Sequence, residues 1–554
     1  MLHVIRTAAI AGLAIVTLAS GADAADDQLP LDKYGGLSSL TVAGGGTGYF
    51  RVARLGDRWI FVTPEGHPFW LMAVYAISSD AGPVYLARVK EKYNRTASLQ
   101  WEFASQALRR IRSWGFNATG EYSTNYVLPI GIHGATAGNP DQMPFIRLIR
   151  PSQYSLRADV GVKDLVVATD ASVYTGWRGS RLPDIFDPKF SEFVTSAAST
   201  DVYKPGNLDQ TPWLIGTTID DADDLFGIKR GDLLHVGWLA AITAPTQLSS
   251  KSTGVTAYAD TTVYTKRALS DFLVGRHGSL AGLNNAWGAS YTTLGSDGGW
   301  PGGRGFLDES GRNPWMRTGD FANLTDMRPG VRKDLDDFLA EFADRYFHVI
   351  TAAVRAATPN HLVFGPAALR FDARPEVWRA AAKYLDVLQA YVLPDPISNL
   401  TRVYELTRKP VYVWTTAVAN PDSPLYMFKG PRGEQPTQGA RGQQYAEIVS
   451  QLRALRGSDG VAFIAGIDFW SWVDKVTGGE STNFGLVTNT RDNAYDGKED
   501  VMASSVDAWG YPTGGEERDY GDFLTAVTRA NRSVWEALGL LGAIPRGPSG
   551  LGLR

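Results

Sequence analysis

The chain has 554 residues, 44% of them apolar and 20% charged, with a formal net charge of −4. That describes a globular protein with a sizeable core, built as one large decorated domain or as two to three smaller ones. The acidic balance and the absence of a basic run exclude a general binder of nucleic acid or anionic membrane, and the lack of any cysteine excludes disulfides, thiol chemistry and Cys-ligated metals.

The first 24 residues read as a secretory signal. Arg6 supplies a positive n-region, Ala8 to Leu18 an apolar h-region, and Ala22-Asp23-Ala24 an A-x-A cleavage site. The apolar stretch is too short and too Ala-rich for a membrane span, and no later window has the length of one. Cleavage is expected after Ala24, with export to the periplasm or beyond. Residues 25–47 are polar and Gly-rich and form an extended lead-in to a domain over 48–541.

From Gly48 the pattern turns β-like. Tyr49 to Arg54 and Trp59 to Val62 flank a Gly56-Asp57 turn, which is a hairpin signal. Phe69 to Val74 is a continuous apolar run suited to a strand buried on both faces. Trp101 to Trp114 is helical in period, and Phe116-Asn117-Ala118-Thr119 follows as a short strand. Pro212 to Ile219 is another buried strand. Asp334 to Ala357 is the clearest helix, with Leu335, Phe338, Leu339, Phe342, Tyr346, Ile350 and Val354 at three- and four-residue spacings. Buried strands recur at His361 to Gly365, Lys409 to Trp414 and Val461 to Ile467. Such alternation predicts a parallel sheet. With no G-x-G-x-x-G after the first strand, a (β/α)8 TIM barrel is favoured over an open doubly wound sheet. Residues 125–185 and 286–330, rich in Gly, Pro, Asn, Asp and Ser, read as long loops over the catalytic face. The tail 542–554 reads as flexible.

The most informative stretch follows Ile219, where the strand empties into Asp220, Asp221, Asp223 and Asp224. Like charges this close raise one another's pKa, which suits acid/base chemistry or cation binding. An Asp-rich turn capping the next helix has the same pattern.

Taken in order, several segments resemble agarase-like glycoside hydrolases, a branch of the clan of (β/α)8-barrel retaining glycosidases. They are Gly48-Tyr49-Phe50-Arg51-Val52 and Trp59-Ile60-Phe61-Val62-Thr63-Pro64-Glu65-Gly66-His67-Pro68-Phe69, then Arg112-Ser113-Trp114-Gly115-Phe116-Asn117 and Asp184-Ile185-Phe186-Asp187-Pro188-Lys189-Phe190. Pro212-Trp213-Leu214-Ile215-Gly216, Ala286-Trp287-Gly288, Pro359-Asn360-His361-Leu362 and Phe484-Gly485-Leu486-Val487 continue the series. The resemblance implies a carbohydrate-cleaving barrel with an acid/base strand ending in Asp-Asn-Glu and a nucleophile strand ending in a glutamate. Here the first reads Asp220-Asp221-Ala222 and the second Trp414-Thr415-Thr416, so both expected glutamates are replaced.

A glycosidase needs a carboxylic acid for the leaving oxygen and a carboxylate as nucleophile or base. At strand ends the candidates are the 220–224 cluster, Glu121, Asp372, and Asp468 with Asp474. The preferred pair is Asp221 or Asp223 with Asp468, and Glu121 is the reserve acid. Asp is a methylene shorter than Glu, which widens the gap and favours inversion. For Asp468 the structural alternative is a buried carboxylate bonded to backbone amides or an indole N–H; for Glu121 it is a loop or cap residue. Trp470 and Trp472 alternate along an extended segment, so they project to one side as a sugar platform or as core. Trp414, Asp220 and Asp474 are further substrate-binding candidates. Arg370 faces an acidic sugar or pairs with Asp372. No H-E-x-x-H, EF-hand or G-x-S-x-G pattern is present, so neither a metal nor another cofactor is expected. The expected partner is a carbohydrate substrate. The rival reading is a non-catalytic carbohydrate-binding relative, and oligomeric state is not legible.

Overall fold

The computed structural model describes residues 29–93, 99–130, 138–163, 165, 182–199, 208–221, 229–230, 233–234, 263–291, 329–367, 369–391, 396–420, 422–423, 435–477, 480–495 and 521–543. The expected signal segment lies outside them. So do Ala222, Asp223, Asp224 and residues 544–554. Among the described residues no helix is long and apolar enough to cross a membrane.

Gly56 takes φ +60°, a left-handed conformation that costs glycine little, and this closes the predicted hairpin. Arg51–Leu55 pairs antiparallel with Arg58–Val62, and Pro68–Phe69 adds a third short strand. Asp57 and Trp59 exchange backbone hydrogen bonds with Ala462, just before the last barrel strand, and the Phe61 ring meets Phe364 at 5.7 Å. The hairpin therefore covers the barrel's N-terminal end.

Eight parallel strands close into the barrel: Leu71–Val74, Ala118–Thr119, Phe145–Ile149, Leu214–Ile219, Leu362–Gly365, Val387–Ala390, Val411–Thr416 and Ile464–Phe469. The predicted TIM barrel with an N-terminal hairpin is what the chain forms. One expectation is corrected: the stretch 125–185 is not a single loop, because it contributes the third strand. Phe145-Ile146-Arg147-Leu148-Ile149 is apolar apart from Arg147, whose guanidinium reaches Asn125. The stretch 286–330 is described only to Tyr291 and from Pro329. Outside the strands, Leu99–Ser113 and Pro329–Ala357 are the predicted helices, the second burying Leu335, Phe338, Phe342, Tyr346, Ile350 and Val354. The final helix runs Gly521–Ala543, so the first residues of the expected tail are helical.

Two glycines let neighbouring strands approach. A Cβ at Gly216 would fall 2.3 Å from the carbonyl oxygen of Leu362, its partner on the fifth strand, and one at Gly466 would fall 2.5 Å from that of Leu71. Neither obstacle is a movable side chain. Gly216→Ala is predicted to lower stability by about 1–3 kcal/mol, in line with overpacked sites. Urea denaturation checks this, and an unchanged midpoint contradicts it.

Candidate active site at the C-terminal mouth of the barrel

Several strands end in unusual backbone conformations on one side of the barrel. Ala76, Tyr122, Asp220 and Thr415 all have φ between +50° and +60°, and Gly365 has φ +130°. For non-glycine residues this conformation costs on the order of 1–3 kcal/mol, and such costs concentrate at functional sites. All five lie at or just past C-terminal strand ends, where barrels of this type place their chemistry.

The turn after the second strand carries Glu121 inward. Its Oε1 accepts hydrogen bonds from Thr218 Oγ1 of the fourth strand (2.6 Å) and Gln389 Nε2 of the sixth (2.7 Å), while its buried Oε2 has no partner among the described residues. Burial raises the Glu121 pKa and the charge of Asp221 adds to it, against the lowering effect of Thr218 and Gln389. Asp468 lies on the eighth strand, opposite Ala73 of the first. Its Oδ1 accepts the Thr415 backbone N–H, and its Oδ2 is buried without a partner among the described residues. Burial, and then the charge of Glu121, hold its pKa well above the usual carboxylate range. The buried Tyr412 hydroxyl also lacks a partner among the described residues; burial and the charges of Asp468 and Glu121 push its pKa up.

Asp220 and Asp221 do different work. Asp220 is fully buried, accepting from Ser152 N (3.1 Å) and from the Tyr346 hydroxyl of the long helix. Burial lifts its pKa to about 6 despite those bonds. Both of its partners are structural, so it anchors the strand end and is not placed to grip a sugar. Asp221 is half-buried, and its Oδ2 accepts the Tyr122 hydroxyl at 2.5 Å. Asp221, Glu121 and Asp468 thus form a line of three interacting acidic groups. The expected Asp221–Asp468 pair is joined by Glu121, which is an inward-facing mouth residue and not a loop cap.

Aromatic rings surround this line. Tyr75 meets Tyr122 at 5.2 Å, Trp414 at 5.7 Å and Trp470 at 6.5 Å, and Tyr391 meets Trp414 at 6.2 Å. The Trp414 indole N–H is buried without a partner among the described residues. Trp470 and Trp472 do not share a side, because the strand ends at Phe469 and its alternation ends with it. Trp470 joins the mouth rings, whereas Trp472 is core, stacked on Trp114 and donating to the Tyr85 hydroxyl at 2.8 Å. Trp472 therefore cannot serve as a platform. Asp474 is also structural: it accepts from Ser423 Oγ, Gly485 N and Tyr495 Oη and ties down the following loop. Arg370 pairs with Asp372 at 3.1 Å.

Three further residues of the site, Thr218, Gln389 and Tyr412, carry a faint sequence signal as polar groups inside apolar strands. Away from the mouth, Asp32, Glu65 and His67 come close enough to hold a cation. Asp32 there already accepts from Thr63 Oγ1, lies 2.8 Å from His67 Nδ1, and accepts two backbone N–H groups.

Comparison with known proteins places the molecule beside one group of enzymes. No family model matches the chain. It is 21% identical over 490 residues to β-agarase B of Vibrio sp. (strain JT0107), spanning 80% of this chain and 46% of that protein. It is 23% identical over 397 residues to β-agarase A of the same strain, spanning 69% and 34%. The chain thus spans about half the length, or less, of the curated relatives it matches. A solved structure described as an exo-β-agarase superimposes with TM-score 0.64 at 18% identity, covering 92% of this chain and 67% of that one, a likeness of fold.

Because the folded-state pKa of Asp220 is raised, the protonated form is favoured by folding. Its contribution to stability is complete below the unfolded pKa of about 3.9 and is lost as pH rises through about 6. Asp220→Asn keeps an acceptor for Ser152 and, without the charge, offers Tyr346 an amide N–H in place of the oxygen that accepts from its hydroxyl. The variant is predicted to gain on wild type between pH 4 and pH 7, by on the order of 3 kcal/mol. Melting curves across that range test this, and a difference independent of pH contradicts it.

Proposed function

We propose that this chain is an exported glycoside hydrolase that cleaves a galactan-like polysaccharide at the barrel mouth, with Asp468 as general acid and Asp221 as base. The observation that carries this is the interaction of three carboxyl groups from the second, fourth and eighth strand ends, with an aromatic cluster alongside and with Glu121 Oε2 and Asp468 Oδ2 unbonded among the described residues. Similarity to proteins named β-agarases supports a galactan as the substrate class. Burial raises both Glu121 and Asp468 and the charge of Glu121 raises Asp468 further, so in this reading the pair retains a proton. Asp468 donates that proton to the glycosidic oxygen as the C–O bond breaks. A water deprotonated by Asp221, the carboxylate on the solvent side, attacks the anomeric carbon from the opposite face. Inversion follows from this arrangement. Glu121 keeps Asp468 protonated, and the aromatic rings offer flat faces to the C–H faces of the sugar.

A second reading, a non-catalytic carbohydrate-binding protein, draws on one observation. The seventh strand ends in Trp414-Thr415-Thr416, and the Thr415 amide is engaged with Asp468. Saccharide release from a polysaccharide panel separates the two readings. Asp468→Asn and Asp221→Asn are each predicted to lower kcat by about 10²–10⁴-fold, the usual reach of general acid–base catalysis. Sugar binding without turnover by the wild type sinks the hydrolase reading, and turnover unaffected by both substitutions sinks the assignment.

Glu121 is predicted to act through the pH profile. Glu121→Gln removes the charge that raises the Asp468 pKa, so the acid loses its proton at lower pH and the alkaline limb of kcat moves down. An unmoved limb shows that Asp468 does not depend on Glu121.

A further inference from the structure

Beside the acidic line is a guanidinium that neutral-sugar hydrolysis does not require. Arg150 directly follows the third strand, Phe145–Ile149, and is half-buried at the mouth. Its guanidinium lies 5.2 Å from the Tyr122 ring and 4.6 Å from the Tyr154 ring. Nη1 donates to the Tyr122 hydroxyl at 3.4 Å and Nη2 to the Tyr154 hydroxyl. Tyr122 in turn donates to Asp221. Among the described residues no carboxylate pairs with Arg150. Asp220 is engaged by Ser152 and Tyr346, and Arg370, another arginine of this rim, is held by Asp372.

We propose that Arg150 is the anion-recognising residue of this cleft, and that the polysaccharide it takes carries a sulfate ester or a carboxylate on a sugar close to the scissile bond. The proposal rests on the hydrolase reading for the word scissile, though not for the binding itself. A guanidinium has five N–H donors in a planar fork. Two are engaged by tyrosine hydroxyls, leaving three for acceptor oxygens, and the stacked rings fix the plane that presents them. Sulfate and carboxylate oxygens match that fork, and bonds between charged partners are about twice as strong as neutral ones. The surroundings sharpen the requirement. Asp221 and Glu121 make the mouth repel a polyanion unless a cation stands beside them, and Arg150 is that cation, one tyrosine away from Asp221. If Arg150 only balanced the acidic line, Arg150→Lys would keep the whole preference for a charged polymer, because the charge is retained and the fork alone is lost.

The test measures affinity of the full chain for three polymers by affinity electrophoresis: an uncharged galactan, a sulfated galactan without uronate, and a uronate polymer without sulfate. Wild type, Arg150→Gln and Arg150→Lys are compared, with melting curves to confirm folding and saccharide release read in parallel. Wild type is expected to bind one charged polymer at least about tenfold tighter than the uncharged one, the scale of one charge-assisted contact. The polymer preferred identifies sulfate or carboxylate. Arg150→Gln should abolish the preference and leave affinity for the uncharged galactan within about twofold; Arg150→Lys, with charge but no fork, should keep part of it. Equal affinities in wild type, a preference that survives Arg150→Gln, or an equal loss for all three polymers overturns the proposal. A preference that depends on Arg150 without release from any polymer supports it and overturns the hydrolase reading instead.

Discussion

Two carboxyl groups removed from water, Glu121 and Asp468, are the constraint around which the mouth of this barrel is arranged. Removing an ionised carboxylate from solvent is costly, and the groups bonded to these two are neutral: Thr218, Gln389 and the Thr415 amide. The economical solution is a proton kept on the pair, which agrees with the upward direction of both pKa values. The left-handed residues at the strand ends belong to the same arrangement. Thr415 turns its amide to Asp468, Tyr122 its hydroxyl to Asp221, and Asp220 its carboxylate into the long helix. Each accepts a local backbone cost, at Asp220 for anchoring the strand end and at Thr415 and Tyr122 for holding the acidic groups.

The comparison with agarase-like enzymes is informative where it departs. The resemblance leads to an expectation of glutamates after Asp221 and after Trp414, where the sequence has Ala222 and Thr415-Thr416. At the second of these places the Thr415 backbone N–H donates to Asp468. In our reading the acid function belongs to Asp468 on the eighth strand, with Glu121 after the second strand sustaining it.

Most of the fold was legible because six of the eight strands are short, continuous apolar runs between helical periods, and the Gly56-Asp57 turn marked the hairpin. The two missed strands are instructive. Phe145–Ile149 has Arg147 at its centre and lies in Gly- and Pro-rich surroundings, while Val387–Ala390 is four residues long and one of them is Gln389. The acidic candidates were visible singly, as residues at strand ends, but their partnership was not. Which strand ends face one another is set by barrel closure, and that put Glu121 between Asp221 and Asp468. The Trp470–Trp472 expectation failed because period-two alternation holds only within a strand, and the strand stops at Phe469.

The central claim, that a carboxyl proton is retained in the mouth at neutral pH, is open to direct observation by infrared difference spectroscopy. The protonated carboxyl C=O stretch of wild type at pH 7 should be present and should vanish in Asp468→Asn. A spectrum without that band at neutral pH would show both groups ionised and contradict the account.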